Sequence, residues 1–370
     1  MPTPLHTERV RIGVEAALVD GVLVRGDVAV EDGRISAVGL AGTGRGFAVP
    51  GFVDLHVHGF GGVDFATADA AGYRRAGEAL LATGVTAFKP TFVTAPVDEL
   101  VASLREVPRD PVGPRVLGCH LEGPFISPAR LGMHRADAQL DPDPAQLARL
   151  LEAGPVSHMT FAPELSGAGE LLATLTARGI VAACGHSDAD AGEANAAFDL
   201  GATHVTHLFN AMRPLQQRAP GLAGAALVRD DVTVELILDG NHLADETVRL
   251  AWRAAAGRIV LVTDAIAAAG VGDHDGRWHL GAVDVEVRDG VVRGSDGVLA
   301  GSVLTIPAAI RNLMDAGAGL EAAVAAATSV PARAARREDV GSLRPGSPAD
   351  VVVLEGDVEV SRVLVGGVER

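Results

Sequence analysis

The chain is short of several residue types, and each shortage excludes something. It has two cysteines in 370 residues, Cys119 and Cys184, which is no disulfide framework. Each reads as a small buried strand residue. Lys89 is the only lysine, so arginine carries the positive charge, a compositional bias with no functional message. Positive charge is scarce overall: the formal net charge is −16, and a general nucleic-acid surface needs clustered Lys and Arg. A small anion held by one or two local arginines stays open. Aromatic residues make up only 4%, so the core must pack on Val, Leu and Ala. No run of 18 apolar residues exists to span a membrane, and Met1–Val14 has no signal-type apolar segment. The expected location is the cytoplasm.

What the chain does have is length, glycine and repeated apolar strands. Its 370 residues suit two domains, or a barrel of about 250 residues with an addition. Residues 8–49 read as short strands and turns, with Glu31-Asp32-Gly33-Arg34 as a hairpin turn between alternating runs. Asp350–Leu354, Val358–Val360 and Arg362–Gly367 read the same way. We expect 1–49 and 339–370 to join into one small β-sandwich domain, leaving 50–338 as the catalytic domain. In that middle region candidate strands recur: Gly51–His58, Thr86–Thr94, Arg115–Gly123, His158–Pro163, Ile180–His186, His204–Asn210, Val232–Asp239 and Ile259–Asp264. Ala/Leu-rich helical stretches follow most of them: Gly72–Ala82, Pro144–Glu152, Gly167–Arg178, Ala189–Leu200 and Ala244–Ala256. Eight strands alternating with helices predict an α/β fold, a (β/α)8 TIM barrel.

In such a barrel, chemistry collects at the C-terminal ends of the strands. Here those ends carry His56 and His58; His120 and Glu122; His186; His207; Asp239 and His242; and Asp264. Residues two apart in a strand share a face, so His56 and His58 project together. Purely structural histidines and acids would be scattered along the strands. Buried charges need partners, so a ring of His, Glu and Asp at one end of a barrel points to a metal. Lys89-Pro90-Thr91 and Ala162-Pro163-Glu164 on the second and fourth strands are weaker candidates.

Asp54-Leu55-His56-Val57-His58 with the later His, His and Asp resembles the amidohydrolase superfamily. Further motifs narrow the resemblance to its N-acetylglucosamine-6-phosphate deacetylase family: His120-Leu121-Glu122-Gly123-Pro124-Phe125, Gly185-His186-Ser187, Thr206-His207-Leu208-Phe209-Asn210-Ala211-Met212, Pro220-Gly221, Leu238-Asp239-Gly240-Asn241-His242 and Val262-Thr263-Asp264-Ala265. The likeness runs over almost the whole chain, through Leu299-Ala300-Gly301-Ser302 and Gly346-Ser347-Pro348-Ala349-Asp350. The fourth strand lacks the lysine that bridges two metals in hydantoinase-like relatives.

The resemblance implies hydrolysis of N-acetyl-D-glucosamine 6-phosphate to glucosamine 6-phosphate and acetate, in amino-sugar catabolism and cell-wall recycling. It implies a divalent metal, Zn²⁺ first, with Fe²⁺, Mn²⁺ or Co²⁺ as alternatives, on Glu122, His186 and His207. A second ion on His56 and His58, shared with Glu122 and Asp264, stays open. Asp264 would be the general acid and base, and His134 would polarise the carbonyl. Substrate contacts would come from Met133, His134, Asp239, Leu299, Ala300 and Gly301. The phosphate would take backbone donors at Asn210 and Ala211, together with Arg218 and His242. Family members can supply the last two from a neighbouring subunit, implying a homodimer. Two rivals remain: an amidohydrolase acting on an amide without phosphate, which would lack the Asn210–Arg218–His242 set, and a metal-free barrel with an assembly role, in which broken ligand sets are expected.

Overall fold

The computed structural model describes residues 9–42 and 44–370. The expectation of no leader in Met1–Val14 falls in part on residues 1–8, outside the described residues. Eight strands form the centre: β1 (Phe52–Val57), β2 (Val85–Val93), β3 (Cys119–Glu122), β4 (Val156–Phe161), β5 (Val181–Cys184), β6 (His204–Val205), β7 (Thr233–Leu236) and β8 (Ile259–Leu261). Successive strands pair in parallel, from β1 with β2 through to β7 with β8. All nine residues of β2 are buried, as expected where helices cover one face and the barrel interior the other.

The seam between β8 and β1 makes this a near-closed barrel. At its C-terminal end the Asp264 N–H donates to His56 O at 2.9 Å and the His58 N–H to Ala265 O at 2.8 Å. At its N-terminal end a later segment stands between the strands: Leu261 N–H donates to Ala326 O and Val53 N–H to Ala327 O.

The crossover helices begin where local chemistry starts a helix. Asp69 caps Ala70–Ala82 by accepting the Gly72 N–H, and Asp143 with Pro144 opens Pro144–Ala153. Asp190 and Glu193 form a reciprocal capping box at Ala191–Asp199, which satisfies backbone donors the helix itself cannot.

Both chain ends meet in two further sheets. One has six strands, in the order Val368–Glu369, Glu359–Val365, Val351–Glu355, Phe47–Pro50, Ala16–Val19 and Val22–Arg25. The other has three, Val10–Arg11, Asp27–Glu31 and Arg34–Leu40. Their shared core includes Val14, Val28, Ile35, Ala48, Val351 and Leu364. Ala16–Val19, which the sequence reading passed over, lies between Phe47–Pro50 and Val22–Arg25.

The structure corrects the expected bounds of two strands and adds a sheet. The strand expected over His204–Asn210 stops at Val205, and that expected over Ile180–His186 spans Val181–Cys184. Beyond these ends, His186, His207, Phe209 and Ala211 have φ of +46°, +30°, +76° and +46°. A left-handed backbone cannot continue a strand. The added one is an unanticipated antiparallel sheet, Gly276–Leu280, Val283–Arg288 and Val291–Gly294. Leu280, Val285, Val287 and Val292 pack with Val93, Ile266, Ala268 and Ala300, so this sheet sits against the mouth of the barrel.

Candidate metal centre and active site

Four imidazoles and two carboxylates converge at the C-terminal ends of the strands. On one side, His186 Nε2 lies 3.0 Å and His207 Nε2 2.9 Å from Glu122 Oε1, and the two nitrogens are 3.0 Å apart. On the other, His56 Nε2 lies 3.6 Å and His58 Nε2 3.5 Å from Glu122 Oε2, and those two nitrogens are 3.2 Å apart. Asp264 Oδ1 closes this second group, 3.0 Å from His58 and 3.3 Å from His56. Glu122 therefore offers one oxygen to each group.

The outer ring nitrogens settle where the hydrogens are. His56 Nδ1 faces Glu235 Oε2 at 3.0 Å, His58 Nδ1 faces Thr91 O at 3.2 Å, and His186 Nδ1 faces Arg130 O at 2.9 Å. Carboxylates and carbonyls only accept, so each Nδ1 carries the hydrogen, and in the neutral ring Nε2 turns a lone pair inward. Burial opposes a charge on His56, but with no cation beside it Glu122, Asp264 and Glu235 raise its pKa well above the ordinary range. Lone pairs facing lone pairs and carboxylates in a buried site repel unless a cation stands between them. The donor set, imidazole and carboxylate, suits zinc and related divalent ions. The residues present fit a metal.

His134 is wired the opposite way. The Thr94 backbone N–H donates to its Nδ1 at 3.1 Å, so Nδ1 is the acceptor and Nε2 bears the hydrogen. That Nε2–H points at Glu122 Oε2, 3.2 Å away. Burial, with His186 close by, pushes the His134 pKa down to about 4. His134 is thus a neutral donor aimed at the site, although it stands close enough to Glu122 and His186 to share an ion with them.

The acids are held ionised. Burial disfavours the charge on Glu122, but positive charge on the facing imidazoles, His56 first, outweighs it and its pKa falls well below the ordinary range. With those rings neutral, a bound cation would supply that charge in their place. Asp264 is lowered on the same balance, burial against His56 and His58. Its φ of +50° turns the side chain inward, and Gly301 packs against it: a Cβ there would stand 2.8 Å from Asp264 O. Asp54 works below the site, accepting the Thr263 hydroxyl at 2.6 Å and so joining the β1 side of the barrel to the β8 side.

A cavity of about 300 Å³ opens over this centre. Met133, His134, Asn210, Ala211, His242, Leu299, Ala300 and Gly301 line it, with the candidate metal ligands His58, Glu122, His186, His207 and Asp264 at its base. His56 lies beneath the lining, and two expected substrate contacts stand outside it. Arg218 is exposed on its loop. Asp239 sits behind His242, its Oδ2 2.9 Å from His242 Nδ1, so His242 presents Nε2 away from that pair. Burial works against a charged His242, but the Asp239 hydrogen bond wins and raises its pKa. The expected backbone donors shrink by one, because the Asn210 N–H is committed to His207 O at 2.9 Å.

Sequence reasoning missed two contributors, Leu280 and Glu235, and underweighted a third, Glu164. Leu280 lines the cavity from the unanticipated sheet, whose signal was Asp289-Gly290 between alternating runs. Glu164 was only a weak candidate, yet it accepts the Ser187 hydroxyl at 2.7 Å and the Asp188 N–H at 2.6 Å, bracing the segment after His186. Glu235, fully buried in β7, was not singled out at all. A lone acid inside the apolar run Val234-Glu235-Leu236-Ile237 was its signal.

Comparison with known proteins agrees with this geometry. The Amidohydrolase family model matches residues 47–370. The rat N-acetylglucosamine-6-phosphate deacetylase is 38% identical over 94% of this chain and 92% of its own length. An Escherichia coli O157:H7 N-acetylgalactosamine-6-phosphate deacetylase is 36% identical over 86% of both. A mutant N-acetyl-D-glucosamine-6-phosphate deacetylase from Mycobacterium smegmatis, solved with N-acetyl-D-glucosamine-6-phosphate, superposes with a TM-score of 0.92 at 36% identity, covering 98% of this chain and 99% of that one. With a near-closed parallel barrel, a His and carboxylate centre at its C-terminal end and these relatives, the chain belongs to the amidohydrolase family, in the branch of the N-acetylglucosamine-6-phosphate deacetylases.

Proposed function

We propose that the chain hydrolyses the acetamide of N-acetyl-D-glucosamine 6-phosphate, releasing glucosamine 6-phosphate and acetate. The observation that carries this reading is the meeting of two imidazole pairs on the two oxygens of Glu122 beneath a cavity, in a chain whose relatives are named for that reaction.

Glu122 Oε1, His186 and His207 would hold one divalent ion, Zn²⁺ by preference. Glu122 Oε2, His56, His58 and Asp264 would hold a second. Bound there, such an ion supplies Lewis-acid polarisation of the amide carbonyl and brings water within reach of deprotonation near neutral pH. Asp264, ionised at neutral pH, takes the proton of the attacking water and returns it to the leaving nitrogen. A sugar amine leaves poorly until protonated, so the return step matters as much as the first. The Nε2–H of His134 donates to the carbonyl oxygen as negative charge grows there. Met133, Leu299, Ala300 and Gly301 face the sugar.

The phosphate would meet Ala211 and the raised-pKa imidazole of His242. Arg218, exposed and away from its own chain's cavity, would reach the cavity of a second copy, in a homodimer. An arginine suits that task because its guanidinium binds phosphate through two parallel hydrogen bonds. We take 1–49 and 339–370 as one supporting domain and 50–338 as the catalytic one. We place the enzyme in the cytoplasm, where phosphorylated sugars are made and used, in amino-sugar catabolism and recycling.

The test is amine release from N-acetylglucosamine 6-phosphate, N-acetylgalactosamine 6-phosphate and unphosphorylated N-acetylglucosamine, with metal content measured on the same sample. Turnover of the phosphorylated glucosamine derivative with metal bound supports the reading. Metal bound with neither glucosamine derivative cleaved overturns the substrate.

A further inference from the structure

We propose that Glu235 is a positioning residue for the metal centre: its carboxylate fixes the tautomer of His56 and strengthens the ion site that His56 and His58 share. This rests on the reading above that these two histidines hold an ion.

Glu235 is fully buried, and both of its oxygens are engaged. Oε2 takes the His56 Nδ1–H at 3.0 Å and the His207 backbone N–H at 3.2 Å. Oε1 lies 3.0 Å from His204 Nε2. One carboxylate on β7 thus touches a ligand from each half of the centre, His56 through its ring and His207 only through its backbone.

The three ligand imidazoles with an anchored Nδ1 are not anchored alike. Among the described residues, His58 and His186 rest on neutral backbone carbonyls, and His56 alone rests on a carboxylate. Bracing would not need a charge. A glutamine of the same size could tie β7 to β1 and β6, without the cost of burying an ion. What a carboxylate adds is specific. It cannot donate, so it admits only the Nδ1–H form of His56, and its charge makes Nε2 a stronger donor to a cation. The effect should be uneven: strong at the His56/His58 site and slight at the His186/His207 site, where Glu235 meets only a peptide N–H.

The experiment compares the full-length wild type with Glu235→Gln, in Zn²⁺ titrations against a chromophoric chelator. We expect wild type to bind two ions. The variant should hold the ion on His186 and His207 within about threefold of wild-type affinity and bind the other about 10–100-fold more weakly. At limiting Zn²⁺ its kcat should fall at least tenfold, with KM for N-acetylglucosamine 6-phosphate changed less than twofold, and excess Zn²⁺ should restore kcat. Both ions held as tightly as in wild type would overturn the proposal. A wild type that binds fewer than two ions would overturn the reading beneath it, and the proposal with it. Should Glu235→Gln not fold, the ¹⁵N shifts of histidine-labelled wild type with Zn²⁺ decide. Protonation of His56 at Nδ1 with metal at Nε2 is expected, and the reverse would overturn the proposal.

Discussion

Histidines occur in two layers of this barrel, and they behave differently. At the rim, His56, His58 and His186 each spend Nδ1 on an acceptor and turn Nε2 toward Glu122. One layer down, His120 and His158 stack with ring centroids 4.2 Å apart. Burial pushes both of their pKa values well below the ordinary range, with His158 adding to the effect at His120 and Lys89 at His158. Among the described residues neither ring nitrogen of His158, nor the Lys89 ammonium, has a partner. His158, His204 and Glu235 lie close enough together to hold an ion, but Glu235 is already committed to His56, His204 and His207. Residue type alone does not make a ligand: for His56, His58 and His186 an acceptor behind the ring decides which nitrogen faces inward. His207, whose Nδ1 has no partner among the described residues, is instead marked by its Nε2 standing on Glu122 and His186.

The widest split between the layers should come from Glu122→Gln. It leaves the rim without its shared carboxylate, and we expect loss of metal and at least a 10⁴-fold loss of kcat, read by elemental analysis and amine release. Asp264→Asn should cost 10²–10⁴ in kcat, the range of a lost general base, while the ion on His186 and His207 stays bound. Metal lost together with activity would instead make Asp264 chiefly a ligand.

The next effect is on binding. A protonated His242 favours the phosphate, so KM should rise as pH climbs through its raised pKa. Asp239→Asn removes the group that raises it, and the rise in KM should begin at lower pH. An unshifted profile would detach His242 from the phosphate.

The smallest effect on turnover belongs to the lower layer. Burial lowers Lys89 from its usual 10.5 to about 7. A lowered folded-state pKa gives stability that is full above the unfolded value and is lost as pH falls toward the folded one. Lys89→Met removes that loss, so its stability advantage should widen from pH 10 down to pH 7, to an order of about 5 kcal/mol, and then level off. The readout is denaturant midpoint against pH, with kcat changed less than threefold. A large loss of kcat would move Lys89 into the working layer.

Much of this was legible in the sequence. The strand-and-helix alternation gave the barrel, and the i, i+2 spacing of His56 and His58 placed both on one face. His186, His207 and Asp264 were found as strand-end residues, although the chain leaves the strand before reaching them and delivers each through a left-handed residue. The wiring was not legible. The acceptors behind His58 and His186 are the carbonyls of Thr91 and Arg130, and any residue has a carbonyl. The donor that sets His134 is likewise a backbone N–H. The sheet over Gly276–Gly294 lies beyond the last barrel strand, where the alternation gave no reason to expect more structure.

The most direct test of the account is anomalous X-ray diffraction from Zn²⁺-loaded crystals. Two peaks are expected at the rim, one within bonding distance of Glu122 Oε1, His186 and His207, the other of Glu122 Oε2, His56 and His58. No peak at the rim, or a peak among His158, His204 and Glu235 in the lower layer, would contradict it.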